Sequence, residues 1–437
     1  MSVASLLPLE ERLEREALAS LQGRKLGELL GALQGRNPFY TRKLEAAGLR
    51  AGDLLFPRDL AELPFTTKAE LTDDQAAHPP WGTALTEPLP HYTRYCQTSS
   101  TTGQPLRWID TNESWQWLLE CWKAVYRAAR VGPGDRAFFP FSFGPFLGFW
   151  AAFDAGSQLG VHCVPGGGLS SSLRLSLIES LAVDVVCCTP TYALHLLEVA
   201  AGEGIRLDAS RVRVVIVAGE PGGSIPATRE RIEQGWGARV IDHHGLTEVG
   251  PLSFECWEAP GFLHLNESRF LCEVLDSATL QPAPDGSRGE LVVTSLGRSA
   301  SPVLRYRTGD IVVRRSGPCA CGRTWARLEG GILARADDMV GVRGVNVYPA
   351  AIEAVVRGFP EIVEFRSTVS RSHEMRTLSL EIEPAPGVEG GETLAAAVGK
   401  RLKEALGLTV PVRAVLPRTL PRFEMKARRF VVEDEGR

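Results

Sequence analysis

The sequence predicts an α/β protein: a large N-terminal domain of layered α/β subdomains with a short antiparallel β region, then a small C-terminal α+β domain. Three observations predict it. Beyond about residue 130, apolar runs of strand length alternate with helical stretches, as parallel strands joined by crossover helices do. Across residues 270–330 the runs become short and are separated by turn residues, which points to antiparallel pairing. Residues 337–437 read helix, strand, strand, helix, strand, and the segment 330–340 reads as their linker. The expected division is therefore 1–336 and 337–437.

Taken in order, Leu13, Leu18, Leu21, Leu26, Leu29 and Leu30 recur at helical spacing and predict one helix over 10–34. The run AFFPFSFGPFLGFWAAF, residues 137–153, is too short for a membrane span and contains two prolines and two glycines, so it reads as buried wall. RAFFPF, VHCVP, VDVVCCTP, VRVVIVAGE and ARVIDHHG read as buried strands, rich in Val and Ile and ended by Gly or Pro. SLRLSLIESLA and YALHLLEVAAGEG are helical patterns between them. FLCEVLD, GELVVTSL, VLRYRTGD and IVVRRSG follow as antiparallel strands. The C-terminal unit should hold helices at 349–358 and 392–406 and strands at 363–370, 375–383 and 411–416.

Composition narrows the function. The 437 residues carry 48 basic against 52 acidic side chains, a net −4, so nucleic acid is not expected as a partner. The N-terminus places acids and Arg where an export signal needs an apolar core, and no membrane partner is expected. An odd count of nine cysteines without such a signal fits a reducing cytoplasm, with thiols kept free or used on metal.

Several segments carry chemistry. Thr98, Ser99, Ser100, Thr101, Thr102 and Gly103, before Gln104-Pro105, offer hydroxyl and backbone donors suited to a polyanion; a flexible Ser/Thr linker is the alternative. VVIVAGEPGGS (214–224) and VIDHHGLTEVG (240–250) run buried strands into polar Gly-containing turns, where ligands of α/β sheets collect. Glu248 beside Thr247 suits a magnesium ligand with a phosphate-contacting hydroxyl. Cys256, His264, Cys319 and Cys321 match a closed Cys₃His zinc site, against the alternative of four unrelated side chains. Phe141, Phe143 and Gly144, with Gly166 and Gly167, could line an apolar slot or simply pack a wall.

Arg305-Tyr-Arg-Thr-Gly-Asp310, Ala334-Arg-Ala-Asp-Asp-Met339, Arg343-Gly-Val-Asn-Val-Tyr-Pro349 and Leu420-Pro-Arg-Phe-Glu-Met-Lys-Ala-Arg-Arg429 complete an ordered series. With the segments above, and from Leu63-Pro-Phe-Thr-Thr-Lys68 onward, the chain resembles the adenylate-forming superfamily of acyl-CoA synthetases, adenylation domains and luciferases, most closely its phenylacetate–CoA ligase branch. The resemblance implies that the Thr98–Pro105 loop holds the β- and γ-phosphates of ATP. It implies that Gly219, Glu220, Pro221, His244 and Gly245 border adenine, that Thr247 touches the α-phosphate and that Glu248 holds Mg²⁺. Asp310 would bind the ribose, with Arg335 nearby. Asp337 would be the hinge of a mobile small domain, Lys426 the catalytic lysine carried by it, and Gly344 the passage of a pantetheine arm. The branch often carries a structural Zn²⁺ site, and relatives are commonly homodimers. Two departures fall in the phosphate loop, where the family reads Ser-Ser-Gly-Thr-Thr-Gly-Lys-Pro: Ser100 replaces the middle Gly and Gln104 the Lys. His244 replaces an aromatic residue.

The expected activity is ATP-dependent conversion of an aromatic or apolar carboxylic acid to an acyl-adenylate, then transfer to CoA. Loading of a carrier protein's phosphopantetheine or an amine, and a weakly catalytic nucleotide-binding module, are the rivals.

Overall fold

The protein is represented by a computed structural model in which residues 7–98, 104–336, 338–342, 345–372, 375–423 and 427–433 are described. A hairpin of β1 (Tyr92–Gln97) and β2 (Arg107–Thr111) precedes the main sheet. The Val- and Ile-rich runs then form β3 (Arg136–Phe139), β4 (His162–Pro165), β5 (Val185–Cys188), β6 (Val214–Ala218) and β7 (Arg239–Leu246). They pair in parallel in the order β4-β3-β5-β6-β7, one half of a 12-stranded sheet. The other half is antiparallel. It comprises β8 (Gly250–Cys256), β9 (Ala259–Leu265), β10 (Phe270–Leu275), β11 (Arg288–Ser295), β12 (Tyr306–Arg315) and β13 (Arg327–Glu329), in the order β7-β8-β9-β13-β12-β11-β10. The two-residue β14 (Ala334–Arg335) lies along β12.

Strand alternation divides the core into two layers. Val185, Cys187, Val214 and Ile216 face one side, packed in the same cluster as Leu118, Trp122, Ala151 and Ala155 of the helices Asn112–Ala128 and Leu147–Gln158. Their neighbours Val186, Cys188, Val215 and Val217 face the other, with Leu175, Leu196, Ile232 and Trp236 of three further helices. A strand buried on both faces explains why these runs are continuously apolar. The crossover helices start and stop on local signals. Pro190–Glu203 begins with Thr189 accepting from the Tyr192 N–H and Pro190 in the first turn, and ends at Gly204 in the left-handed conformation (φ 71°).

The C-terminal unit adds the hairpin β15 (Val340–Val342) and β16 (Val345–Val347), then β17 (Ile362–Ser372), β18 (Met375–Pro384), β19 (Val412–Ala414) and β20 (Phe430–Glu433). The last four form a sheet in the order β19-β18-β17-β20. The helices Pro349–Arg357 and Gly391–Leu406 supply Ile352, Val356, Val398 and Leu402 to a hydrophobic cluster that holds no residue before Val340.

Four sequence expectations need adjustment. VLRYRTGD and IVVRRSG, expected as two strands, form the single β12, because Gly309 at φ 76° is taken up within the strand instead of ending it. The helix expected over 10–34 is a short 3₁₀ turn at Leu9–Arg12 followed by an α-helix at Arg15–Leu33. The break follows from Thr324, whose N–H donates to the Glu11 carbonyl at 3.3 Å and whose hydroxyl donates to that of Leu13 at 2.6 Å. The aromatic stretch 137–153 is only partly wall: Phe138 and Phe139 are fully buried, whereas Trp150 is 40% exposed. β20 was not anticipated, because it pairs in parallel with β17, far away in sequence. Among the described residues, no helix is long and apolar enough to cross a membrane.

Candidate active site

The carboxyl end of β7 meets β12, with the end of β6 paired beside β7, and candidate residues gather there. β7 does not stop at the polar turn as the sequence suggested but runs on to Leu246, paired with Gly250 at the start of β8. Thr247 and Glu248 therefore occupy a tight connection between two strands. Gly245 is required at this bend, since a Cβ there would stand 2.6 Å from the backbone carbonyl oxygen of Gly250. Glu248 is buried, and its Oε1 accepts a hydrogen bond from the Tyr306 hydroxyl at 3.2 Å. Its other oxygen takes no hydrogen bond from a described residue. Burial, with the Glu248 charge acting in the same direction, pushes the Tyr306 phenol well above its ordinary range, so it stays a donor.

One guanidinium fixes this turn. Arg298, fully buried, donates through Nη1 to the carbonyls of Thr247 (2.7 Å) and Glu248 (3.1 Å). Its Nε and Nη2 grip both carboxylate oxygens of Asp110 on β2 at 2.7 and 2.5 Å. β2 follows the Ser/Thr-rich loop directly, so Arg298 ties that loop's base to the Thr247–Glu248 turn. At the loop's start, Thr98 is buried and bonded both ways to Leu106, its N–H to the carbonyl and its hydroxyl from the N–H. Ser99, Ser100, Thr101, Thr102 and Gly103 lie outside the described residues, as do Asp337, Gly344 and Lys426.

Asp310 lies opposite Arg335 in the β12–β14 pairing. Arg335 Nη1 donates to its Oδ1 at 2.9 Å, and His244 Nε2 lies 3.1 Å from its Oδ2. Burial alone would raise this carboxyl. The His244 hydrogen bond, with the charges of His244 and Arg335, outweighs burial and holds it below the usual carboxylate range. Each oxygen retains a lone pair for a further donor.

Gly219, Glu220 and Pro221 follow β6. The Glu220 carboxylate turns to two backbone donors, Thr191 N–H and Ala427 N–H, both at 2.8 Å. Asp242, in the middle of β7, was not singled out from the sequence. It accepts from the Ser224 hydroxyl at 2.5 Å, and burial raises its pKa to about 6. A lone acid inside an apolar strand was the available signal for Asp242, and for Asp110. Arg298 and Thr191 left none.

The aromatic residues form a stacked group beside these elements. Phe141 stacks on Phe149 (centroids 3.8 Å, 24°), and Phe143 packs on Phe139, Phe153 and Trp150. Gly144 accepts from the Trp150 indole N–H at 2.8 Å, and the Gln97 N–H reaches the Pro145 carbonyl at 2.8 Å, joining this loop to β1. Gly166 and Gly167 cross closely above it. A Cβ would stand 2.5 Å from the Phe138 ring at Gly166 and 3.0 Å from the Phe141 carbonyl oxygen at Gly167.

A second constellation joins β8, β9 and the Cys319–Cys321 turn. Cys256, His264, Cys319 and Cys321 are all buried, and their ligand atoms lie within 4.8 Å of one another. Cys256 Sγ is 3.7 Å from Cys319 Sγ, and Cys321 Sγ is 3.5 Å from His264 Nε2. Arg323 Nη1 stands 3.5 Å from Cys321 Sγ.

Residues 60–298 match the AMP-binding enzyme family, and residues 344–434 match the AMP-binding enzyme C-terminal domain. The chain is 32% identical to the phenylacetate-coenzyme A ligase of Thermus thermophilus over 95% of this chain and 96% of that protein. It is 30% identical to that of Escherichia coli over 94% of each. Among solved structures, 2-hydroxyisobutyryl-CoA ligase in the postadenylation state with 2-HIB-AMP superposes with a TM-score of 0.92, at 28% identity over 99% of this chain and 95% of that one. The same ligase with 2-HIB-AMP and CoA in the thioesterification state gives 0.74, at 28% identity over the same shares.

Replacing Arg298 with Met should remove about 3–5 kcal/mol of stability, because Asp110 is left as an unpaired buried charge. Thermal melts of Arg298→Met beside the double variant Arg298→Met/Asp110→Leu check this. The double variant should recover much of the loss, and equal melts for wild type and Arg298→Met would refute the assignment.

Proposed function

The chain belongs to the AMP-binding, adenylate-forming enzymes, in their phenylacetate–CoA ligase-like branch, and from that premise we propose that it activates a carboxylic acid as an acyl-adenylate and passes the acyl group to CoA. The observation that carries the reading is the convergence of the Thr247–Glu248 turn with the His244–Asp310–Arg335 cluster, over which Ala427, next to the family's lysine position, is bonded to the large domain.

In the first half-reaction a carboxylate oxygen of the acid attacks the α-phosphorus of ATP, and pyrophosphate leaves. The Thr98–Pro105 loop holds the β- and γ-phosphates through hydroxyl and backbone donors. Thr247 donates to the α-phosphate, and Asp310 accepts from the ribose hydroxyls while His244 and Arg335 keep it ionised and oriented. Gly219, Pro221, His244 and Gly245 flank the adenine. Glu248 has one oxygen bonded by Tyr306 and the other open, which suits a single carboxylate ligand to Mg²⁺. Bound there, Mg²⁺ supplies charge neutralisation to the phosphates. Lys426 stabilises the charge that develops as the adenylate forms. In the second half-reaction the CoA thiol attacks the acyl carbon and AMP leaves, with Gly344 bordering the pantetheine and the small domain turned about Asp337. The division at 336/337 belongs to the same proposal; the separate hydrophobic cluster beyond Val340 supports it.

Phe141, Phe143, Gly144, Gly166 and Gly167 line the acid's slot, so an aromatic or similarly apolar acid is the proposed substrate. Pyrophosphate exchange across a panel of such acids tests the reading. Adding CoA, or a phosphopantetheine carrier, then identifies the acceptor. Lys426→Ala should nearly abolish exchange and leave thioester formation from supplied acyl-adenylate largely intact. Equal loss of both would sink the assignment of the lysine.

The Cys₃His set is proposed as a structural zinc site. Three thiols and one imidazole, buried and converging, fit tetrahedral zinc, and Arg323 offsets the negative charge that three thiolates leave on the complex. Zinc bound there would cross-link β8, β9 and the Cys319–Cys321 turn. Purified protein should carry about one zinc per chain, and Cys319→Ser should lower both zinc content and melting temperature. Metal-free protein with an unchanged melt would exclude the site.

A further inference from the structure

The carboxylate that follows β6 does something that bordering an adenine does not require. Glu220 presents one oxygen to the N–H of Thr191, in the first turn of the helix Pro190–Glu203, and the other to the N–H of Ala427, the residue after Lys426. A carboxylate at a helix N-terminus is ordinarily satisfied there, by the free N–H groups and the helix dipole. Here it spans two domains instead. The loop that carries it has little freedom, since a Cβ on Gly222 would meet Pro190 at 2.5 Å and one on Gly223 would meet Asp242 at 2.5 Å.

A second contact falls at the same helix end. Arg429, buried, donates to the Thr191 hydroxyl at 3.0 Å while both oxygens of Glu364 on β17 hold its guanidinium at 2.5 and 2.9 Å. Residues 427 and 429 of the lysine segment are thus both anchored on residue 191 or on the carboxylate bound to it. Arg429 also faces Glu353 at 3.5 Å, so the acids gathered around this junction are met by a cation. Nearby, Arg422 reaches Glu198 at 3.1 Å on the same helix. The whole chain superposes better on the postadenylation state of the related ligase than on its thioesterification state, so the clamp is closed in an adenylation-side arrangement.

We propose that Glu220 is a positioning residue for the first half-reaction, its carboxylate bridging Thr191 and Ala427 so that the backbone next to the lysine position is fixed against the turn that follows β6. The proposal rests on the function given above. The bridge must break when the small domain turns, so it favours adenylation and contributes nothing to thioester formation. Glutamine cannot replace it: the amide keeps one acceptor oxygen but turns an N–H₂ donor toward the second backbone N–H.

The test is Glu220→Gln, with three readouts on the full chain. Pyrophosphate exchange should lose about tenfold or more in kcat, the scale of one charge-assisted hydrogen bond, with the KM for ATP within about twofold of wild type. Thioester formation from supplied acyl-adenylate should be unchanged or faster. Energy transfer between dyes placed on the two domains, attached by non-cysteine chemistry, should show the closed arrangement depopulated. A raised ATP KM at constant kcat would mean that Glu220 reads the adenine. Equal loss in both half-reactions with unaltered energy transfer would make it a helix cap only. Either result overturns the clamp. The dye measurement reads the clamp without turnover, so a wild-type chain inert toward every acid would count against the proposed function and not against the bridge.

Discussion

Arg298 is the constraint on which the site's geometry depends. Its side chain has no access to water, and it meets two elements that no strand pairing joins, β2 and the β7–β8 connection. A guanidinium can do this where a lysine cannot, because its planar fork offers donors on two edges at once. One edge holds the Asp110 carboxylate, and the other holds the carbonyls of two consecutive turn residues. The Trp108 ring, with its centroid 5.4 Å from the guanidinium carbon, closes off one side. Buried pairs of this kind are poor sources of net stability compared with apolar packing, but breaking one strands a charge. The cost of a misplaced turn is therefore high, which is how the base of the hydroxyl-rich segment, at β2, and a Thr–Glu pair come to share a fixed frame.

The charged groups sort by whether they lie within the large domain or join it to the small one. Asp310, His244 and Arg335 interlock within the large domain, on β12, β7 and β14. Their mutual bonds hold a carboxylate ionised at low exposure, ready to accept hydroxyl donors without rearrangement. The contacts between the domains have another character. Among the described residues the hydrogen bonds and ion pairs across the junction join Glu220 with Ala427, Thr191 with Arg429, Glu198 with Arg422, and Arg231 with the Ile362 carbonyl. Polar contacts of this sort can be exchanged for water at modest cost, whereas an apolar interface of the same size would resist opening. Such a junction suits the turning of the small domain proposed between the two half-reactions.

The Cys₃His cluster is linked to the far end of the chain. Glu11 is buried beneath it and accepts from Arg323 at 2.7 Å and from Arg127 at 2.5 Å. Arg323 also faces Cys321, so a single side chain connects the thiol-bearing turn to the N-terminal segment and, through Arg127, to the long helix Asn112–Ala128. The kink between the 3₁₀ turn and the first α-helix has its cause here. Backbone carbonyls that would have continued a helix are spent on Thr324 instead.

Much of this was legible in one dimension. Alternation of β-branched runs with helical stretches located the five parallel strands of the large sheet, because a strand buried on both faces must be apolar throughout and must end where the chain turns. The helix ends rest on local signals too, capping residues and glycines that the structure shows at work, since those choices are made by neighbours in sequence. The residue types of the site, and its Cys/His set, were visible as motifs. What only the tertiary structure decided are the pairings across the chain: Asp110 with Arg298 at 188 positions, Glu220 with Ala427 at 207, and β20 with β17. A hydrogen bond between such partners leaves no periodicity and no local preference for sequence to display. Its existence depends on where the folded layers bring two backbones together, and that placement is a property of packing alone.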